Sequence, residues 1–413
     1  MIESPPSSTP DSSGPVIVGV SGGVDSAVAA LLLKRAGHAV QGLFMSNWED
    51  DDDSYCTTAQ DYQDARRVCD KLAIPLHRVI FAREYRERVF AHFLREYAAG
   101  RTPNPDVLCN REIKFGVCLD YMRRLGARSI ATGHYARIAR KDGAAELLRA
   151  ADAAKDQSYF LHAVAPAALA LTRFPIGELS KDAVRGLAQG AGLPVHDKPD
   201  STGICFIGER PFAAFLGRYL RGEPGPIETD AGRVVGRHRG LAFYTLGQRS
   251  GLRLGGRADA AAAPWYVADK DPVRNALIVV QRPDHPLLLS VGFEVTDINW
   301  LAEPAACVIE CTVKTRYRQH DLACRLQVDA SAPRATSARV TLESPARAVT
   351  PGQYAVFYDG ERCLGGGVIA RRVGVAVAPT ARAVARPVSS DPQVSIDPMA
   401  RSTIIGEFPR RTP

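Results

Sequence analysis

Between Val16 and Gly133 short β-rich runs alternate with helical patterns, and this alternation constrains the fold more than any other feature of the chain. The runs are 16–20, 39–45, 76–81 and 129–132; helical patterns fall at 26–35, near 61–72, near 83–99 and near 112–125. Strands separated by helices predict an α/β domain on a doubly wound parallel sheet. Such sheets bind ligands beyond the carboxyl ends of their strands, where the first strand-to-helix turn lies. That turn reads SGGVDS, Ser21 to Ser26.

A glycine-rich turn that opens a helix offers backbone N–H groups and the helix dipole to an anion, and glycine lets the backbone approach phosphate oxygens closely. Ser21 and Ser26 add hydroxyl donors. Asp25 is out of place in a simple anion site, so it either holds a hydrated magnesium ion against the phosphates or caps the helix. Without a ligand, the stretch is an ordinary glycine turn with a serine or aspartate cap. Two other phosphate motifs fit poorly. A Walker loop requires Gly-Lys-Ser/Thr, and no lysine occurs before Lys34; a dinucleotide fingerprint requires G-x-G-x-x-G, whereas Gly19 is followed by Gly22-Gly23.

At 413 residues the chain is long enough for two or three domains. The texture divides it into an N-terminal tail at 1–15, the α/β domain at 16–210, a small turn-rich module at 211–285, a β-barrel at 286–372 and a tail at 373–413. The barrel is predicted from alternating runs such as CVIECTVKTRYR, RVTLES and QYAVFYDG, and the last tail is read as disordered from its Ala/Pro/Arg/Ser content. Residues 371–413 carry +4 of the +7 net charge, so bulk charge says little about an RNA partner. No apolar stretch reaches the roughly 18 residues of a membrane span, and the first fifteen residues lack a leader pattern; a cytoplasmic protein with no membrane partner is expected.

Nine cysteines without a leader do not suggest a disulfide framework. Cys69 and Cys118 fall at helical spacing with apolar neighbours, and Cys307, Cys311 and Cys324 at alternating positions of strands, so these read as core residues. Cys363 has no assigned role, and Cys56 beside an acidic loop stays ambiguous. Cys109 and Cys205 remain, both in loop-like segments rich in Pro, Asp, Asn and Gly, without the apolar periodicity that would bury them.

SGGVDS after a strand resembles the pyrophosphate loop of the PP-loop ATP pyrophosphatases, which transfer AMP to an oxygen and release pyrophosphate. GLFMSNW (42–48), GRTPNPDVLCNREIKF (100–115), ATGHYAR (131–137), KDQSYFL (155–161), DSTGICFIGER (200–210), YTLGQR (244–249), CTVKTRYRQ (311–319) and TPGQYAVFY (350–358) are similar to the bacterial tRNA-specific 2-thiouridylase family, collinearly from about Val16 to Arg372.

The resemblance implies ATP-dependent 2-thiolation of a tRNA uridine, at wobble position 34 in the family. ATP, carried with magnesium, adenylates O2 and turns a poor leaving group into AMP. By that resemblance Cys205 carries a persulfide received from a donor or relay protein. Cys109 is its partner thiol, either releasing hydrosulfide or resolving a disulfide after direct delivery, and Asp106 is the nearby acid/base group. Lys198 and Arg210 would favour the Cys205 thiolate. Gly19, Val20, Ser21, Gly22, Gly23, Val24, Asp25, Ser26, Met45 and Gly133 correspond to ATP contacts. Asn104, Pro105 and Asp106 match residues on the target base, and His134, Lys155, Asp156, Gln157, Arg316, Tyr317 and Gln353 match tRNA contacts. A monomer is expected. The alternatives are a ligase of this class acting on a small molecule and a tRNA- or nucleotide-binding protein without turnover.

Overall fold

The computed structural model describes residues 14–48, 58–141, 143–200, 212–254, 263–304, 306–329 and 336–375. The segment with Cys205 and Arg210, Cys56, and nearly all of both tails therefore lie outside the described residues.

Four apolar runs become strands β1 (Val16–Gly19), β2 (Val40–Ser46), β3 (Leu76–Ile80) and β4 (Ser129–Thr132), and a short β7 (Thr172–Arg173) completes a five-stranded sheet in the order β3-β2-β1-β4-β7. Every pairing is parallel, as the sequence predicts. Helix α1 (Val24–Arg35) carries little amphipathic pattern, because eight of its residues are buried between the sheet, α2 (Thr58–Leu72) and the helix Lys181–Gly190. Strand order runs outward from β1 in one direction through β2 and in the other through β4. The crevice between the carboxyl ends of β1 and β4 is therefore the switch point of the sheet.

The helical stretch after β3 is longer and less regular than its sequence suggests. It includes a wide π turn at Arg86–Phe90, and the next helix starts at Pro105, seven residues before the expected 112, continuing through a π segment Cys109–Val117 into Cys118–Arg124.

A hairpin that the sequence reading did not identify follows β4: β5 (Arg137–Lys141) and β6 (Ala144–Leu148). A central module holds β8 (Gly225–Thr229), β9 (Val234–His238), β10 (Tyr266–Asp271) and β11 (Ala276–Val280) around Ile227, Trp265, Val267 and Leu277. The barrel comprises β12 (Leu289–Trp300), β13 (Val308–Lys314), β14 (Leu322–Val328), β15 (Ala338–Arg347), β16 (Tyr354–Asp359) and β17 (Arg362–Gly374). It closes by β12 pairing with both β15 and β17. The β5–β6 hairpin extends this sheet through Leu148 opposite Arg362, and Tyr354, Val356 and Tyr358 join the core of the α/β domain. Cys324 is inward as expected and Cys311 is half-buried, whereas Cys307 precedes β13 and is exposed.

Strand β17 keeps pairing to Gly374, opposite Ser290, and Arg372 donates to the carbonyls of Leu287 and Ala268. Deletion after Val375 should leave the melting temperature and activity unchanged. Deletion after Arg372 removes the last rungs and should lower the melting temperature, readable by thermal denaturation.

Candidate active site

Strand β1 delivers the loop 19–26 to the switch point. Val20 is buried, its amide donating to the Leu43 carbonyl (2.9 Å). Gly22 turns the chain with φ +80°, and a Cβ there would lie 2.3 Å from the Asp61 carbonyl oxygen. Gly23 is the extended N-cap of α1 and no side chain caps it, so the capping alternative for Asp25 is not realised. Ser26 Oγ instead ties the loop, donating to the Gly23 carbonyl (3.0 Å) and accepting from the Ser21 amide (3.1 Å); Ser21 Oγ lies 3.2 Å away. The N–H groups of Val24, Asp25 and Ser26, in the first turn of α1, precede the first intrahelical bond, which Ala27 makes to the Gly23 carbonyl (3.3 Å).

Asp25, in the first turn, accepts from Tyr135 Oη (2.9 Å) and from Lys181 Nζ (2.7 and 2.9 Å). Lys181, 156 residues away in sequence, is only 10% exposed and also meets Asp200 at 2.7 Å. Asp200 further takes Lys155 (2.8 Å) and Arg185 (3.0 Å). Burial alone would raise its pKa, but the bonds from Lys155 and Lys181 hold it at about 2. Lys198 binds Asp61 (2.7 Å), Asp64 (2.5 Å) and the Gly22 carbonyl (3.1 Å), so its ammonium supports the loop from below.

Gly133, directly after β4, abuts this loop: a Cβ there would come within 2.5 Å of the Ser26 amide nitrogen and 2.6 Å of the Asp25 carbonyl carbon. Met45 sits at the carboxyl end of β2, beside Val79 of β3. The expected ATP residues thus share one edge. Gly133→Ala should push α1 off the sheet and raise the KM for ATP by roughly tenfold or more, since backbone atoms and not a flexible side chain must yield. An unchanged KM in steady-state kinetics would contradict this packing.

His134 comes next. Its Nδ1 lies 2.7 Å from Thr132 Oγ1 and its ring packs between Phe115 and Phe174; desolvation, then Lys114, holds its pKa well below the usual histidine range, so it is neutral. Lys114 also acts on Asp106, where burial raises the carboxyl pKa and the lysine partly opposes it. Asn104 caps the helix, its Oδ1 accepting from the Asp106 amide (3.1 Å), with Pro105 at the first helical position. Cys109 is helical and 4% exposed, packed with Val107, Leu108, Ile113 and Cys118. This corrects the loop-like, unburied setting expected from sequence; the burial follows from Cys109 and Ile113 falling one turn apart on the inward face.

Besides His134, the residues matched to tRNA fall in two places. Lys155 binds Asp200; Asp156 is buried and accepts from the Ala150 and Ser158 amides; Gln157 Oε1 accepts from the Tyr135 amide (2.9 Å). Across the seam with the barrel, Arg316 Nη2 donates to the Leu246 and Ala348 carbonyls and to Thr350 Oγ1. Tyr317 packs on Phe160 with centroids 4.4 Å apart, and Gln353 Nε2 donates to the Thr102 carbonyl (2.7 Å). The sequence reading missed Lys181, Tyr135, Asp200 and Lys114. Tyr135, Asp200 and Lys114 lay inside motifs already quoted, whereas Lys181 lay outside them; folding alone joins Tyr135, Asp200 and Lys181 to the loop.

Residues 14–209 match a family described as the tRNA methyl transferase HUP domain, 213–281 its PRC-barrel domain, and 290–369 the aminomethyltransferase beta-barrel domain. Curated relatives extend over nearly their whole length. The tRNA-specific 2-thiouridylase MnmA of Alkalilimnicola ehrlichii is 56% identical over 87% of this chain and 98% of that one. The proteins of the same name from Burkholderia vietnamiensis and Hahella chejuensis are 56% and 55% identical over 89% and 86% of this chain, and 98% and 96% of theirs. The chain belongs to the tRNA-specific 2-thiouridylase family. His134 directly follows the glycine that touches α1, and Lys114 acts on both its imidazole and the Asp106 carboxyl.

Proposed function

We propose that the chain carries out its family's reaction, ATP-dependent 2-thiolation of a tRNA uridine, with the loop 19–26 as the triphosphate cradle and the Asp106–Cys109 turn facing the uridine. The juxtaposition through Gly133, His134 and Lys114 is the observation that carries this assignment. In the first step O2 of the uridine attacks the α-phosphorus and pyrophosphate leaves; neutral His134, and Asp106 with its carboxyl pKa raised by burial, can exchange hydrogen bonds with the base. Lys181 supplies the cation that a Walker lysine would give, moving from Asp25 toward the phosphates. No cluster of three His, Cys, Asp or Glu among the described residues could hold a metal alone. Magnesium would therefore arrive on the nucleotide, with Asp25 as a protein carboxylate for its hydrated shell. Bound there, it neutralises phosphate charge.

In the second step sulfur reaches C2 and AMP leaves. A Cys205 persulfide, loaded by a donor protein, either attacks C2 itself and displaces AMP, after which the Cys109 thiolate attacks the Cys205 sulfur and releases the thiouridine, or is first attacked at the Cys205 sulfur by the Cys109 thiolate, expelling hydrosulfide that attacks C2 and displaces AMP. Both routes end in a Cys109–Cys205 disulfide that an external thiol must reduce. No helix among the described residues is long and apolar enough to cross a membrane; a cytoplasmic monomer is the working state, checked by fractionation and size exclusion. The deciding experiment supplies tRNA, ATP, magnesium and a persulfide donor, then follows nucleosides by mass spectrometry. One AMP and one pyrophosphate should form per thiouridine; ADP and phosphate as products would overturn the reading.

A further inference from the structure

The segment joining the helix Ala91–Ala98 to the helix that begins at Pro105 is held from outside its own domain. The Gly100 carbonyl accepts from Lys270 Nζ (2.9 Å), which reaches across from β10 of the central module. At Thr102, which is buried, three polar groups are taken by the other two domains. Its amide donates to the Pro351 carbonyl (3.0 Å), its carbonyl accepts from Gln353 (2.7 Å), and its hydroxyl lies 3.2 Å from Thr245 Oγ1. Two residues later Asn104 caps the helix carrying Asp106 and Cys109. A second tie reaches the same helix further along, where Asn110 Nδ2 donates to the carbonyl of Phe160, the residue under the barrel's Tyr317.

We infer that residues 100–104 form a strap through which the central module and the barrel set the position of the Asp106–Cys109 turn, with Lys270 and Thr245 as positioning residues for the reaction. The inference rests on the roles proposed for Asp106 and Cys109. An extended residue spans only about 3.5 Å, so a strap this short has little slack with which to absorb displacement of its anchors. The space around it makes those anchors matter. A cavity of about 180 Å³, lined in part by Ala99, Gly100, Leu246 and Pro351, lies beside Lys270, and nothing stands within 4 Å of where a Gly100 Cβ would be. Without the lysine the strap can slide into that space. Burial pushes the Lys270 ammonium down to about 8, so the bond to Gly100 is made at a desolvated cation.

The test uses the full chain with Lys270→Met, Lys270→Arg and the near-isosteric Thr245→Val. Lys270→Met and Thr245→Val should lower kcat for thiolation by roughly tenfold while KM for ATP and tRNA change less than about twofold, the split expected when reacting groups are misplaced and binding surfaces are intact. Lys270→Arg, for which the cavity leaves room, should recover most of kcat. Independently of turnover, iodoacetamide labelling read at the Cys109 peptide should accelerate several-fold in the first two variants. Unchanged kcat with unchanged labelling would overturn the inference, as would loss of kcat, both KM values and melting temperature together. If Cys109 proved dispensable for thiolation, the labelling rates would still report whether the strap holds the turn.

Discussion

Cys205→Ser and Cys109→Ser variants should bind ATP and tRNA and still release pyrophosphate, yet make thiouridine at least about 10³-fold more slowly, the scale seen when a reacting nucleophile is removed. The two losses should differ in kind. Loaded with a persulfide donor, the Cys109→Ser protein should carry the extra sulfur on Cys205, whereas Cys205→Ser should carry none there. Thiol exchange proceeds by attack of one sulfur on another, so Cys109 and Cys205 must approach to near bonding distance at some stage. Because Cys109 is buried, that approach requires the turn to expose its sulfur or the partner to enter. Mild oxidation should join the two, and peptide mapping must separate that bond from a second candidate: Cys311 and Cys324 oppose each other across β13 and β14 with sulfurs 3.7 Å apart. Extra sulfur on Cys56, or full activity of Cys205→Ser, would refute the division of roles.

Asp25→Asn should slow release of AMP and pyrophosphate by about 10²-fold, comparable to loss of one preorganised charge interaction at a reacting centre. Tyr135 can still donate to the amide oxygen, so the fold should survive. What changes is charge: Lys181 loses one of its two carboxylates and would stay with Asp200 instead of being shared with the loop. Lys181→Met leaves two carboxylates facing an incoming triphosphate and should raise the KM for ATP more than it lowers tRNA affinity. Filter binding of tRNA beside a pyrophosphate assay separates these effects. Equal loss of tRNA binding and ATP cleavage would show that the site had collapsed.

The parallel sheet and its first turn were legible because both signals are local: β-rich runs at regular spacing, and glycines where the backbone must approach α1. The early start of the Pro105 helix was legible too, since Asn at the cap, Pro at the first position and Asp next form an N-terminal signature; read as a loop, it hid the burial of Cys109. The β5–β6 hairpin likewise carried an Asp142-Gly143 dipeptide between its strands. By contrast, Lys181 reaching Asp25, Arg316 reaching Leu246 and Lys270 reaching Gly100 are long-range pairings of residue types that are usually solvated. Nothing in their neighbourhoods marks them, and only the assembled domains reveal their partners.

The β5–β6 hairpin has a consequence for how the chain is made. Its outer partner, β17, begins at Arg362, more than two hundred residues after Leu148. At about 5–20 residues per second, a ribosome needs on the order of 10–40 s to supply that strand, and until then β6 presents an open edge to other nascent chains. A fragment ending before β17 should therefore aggregate through this edge. Replacing the outward-facing Glu146 with valine should worsen the aggregation during synthesis while leaving the finished protein, where Arg362 covers the edge and pairs with that glutamate at 3.1 Å, only modestly less stable.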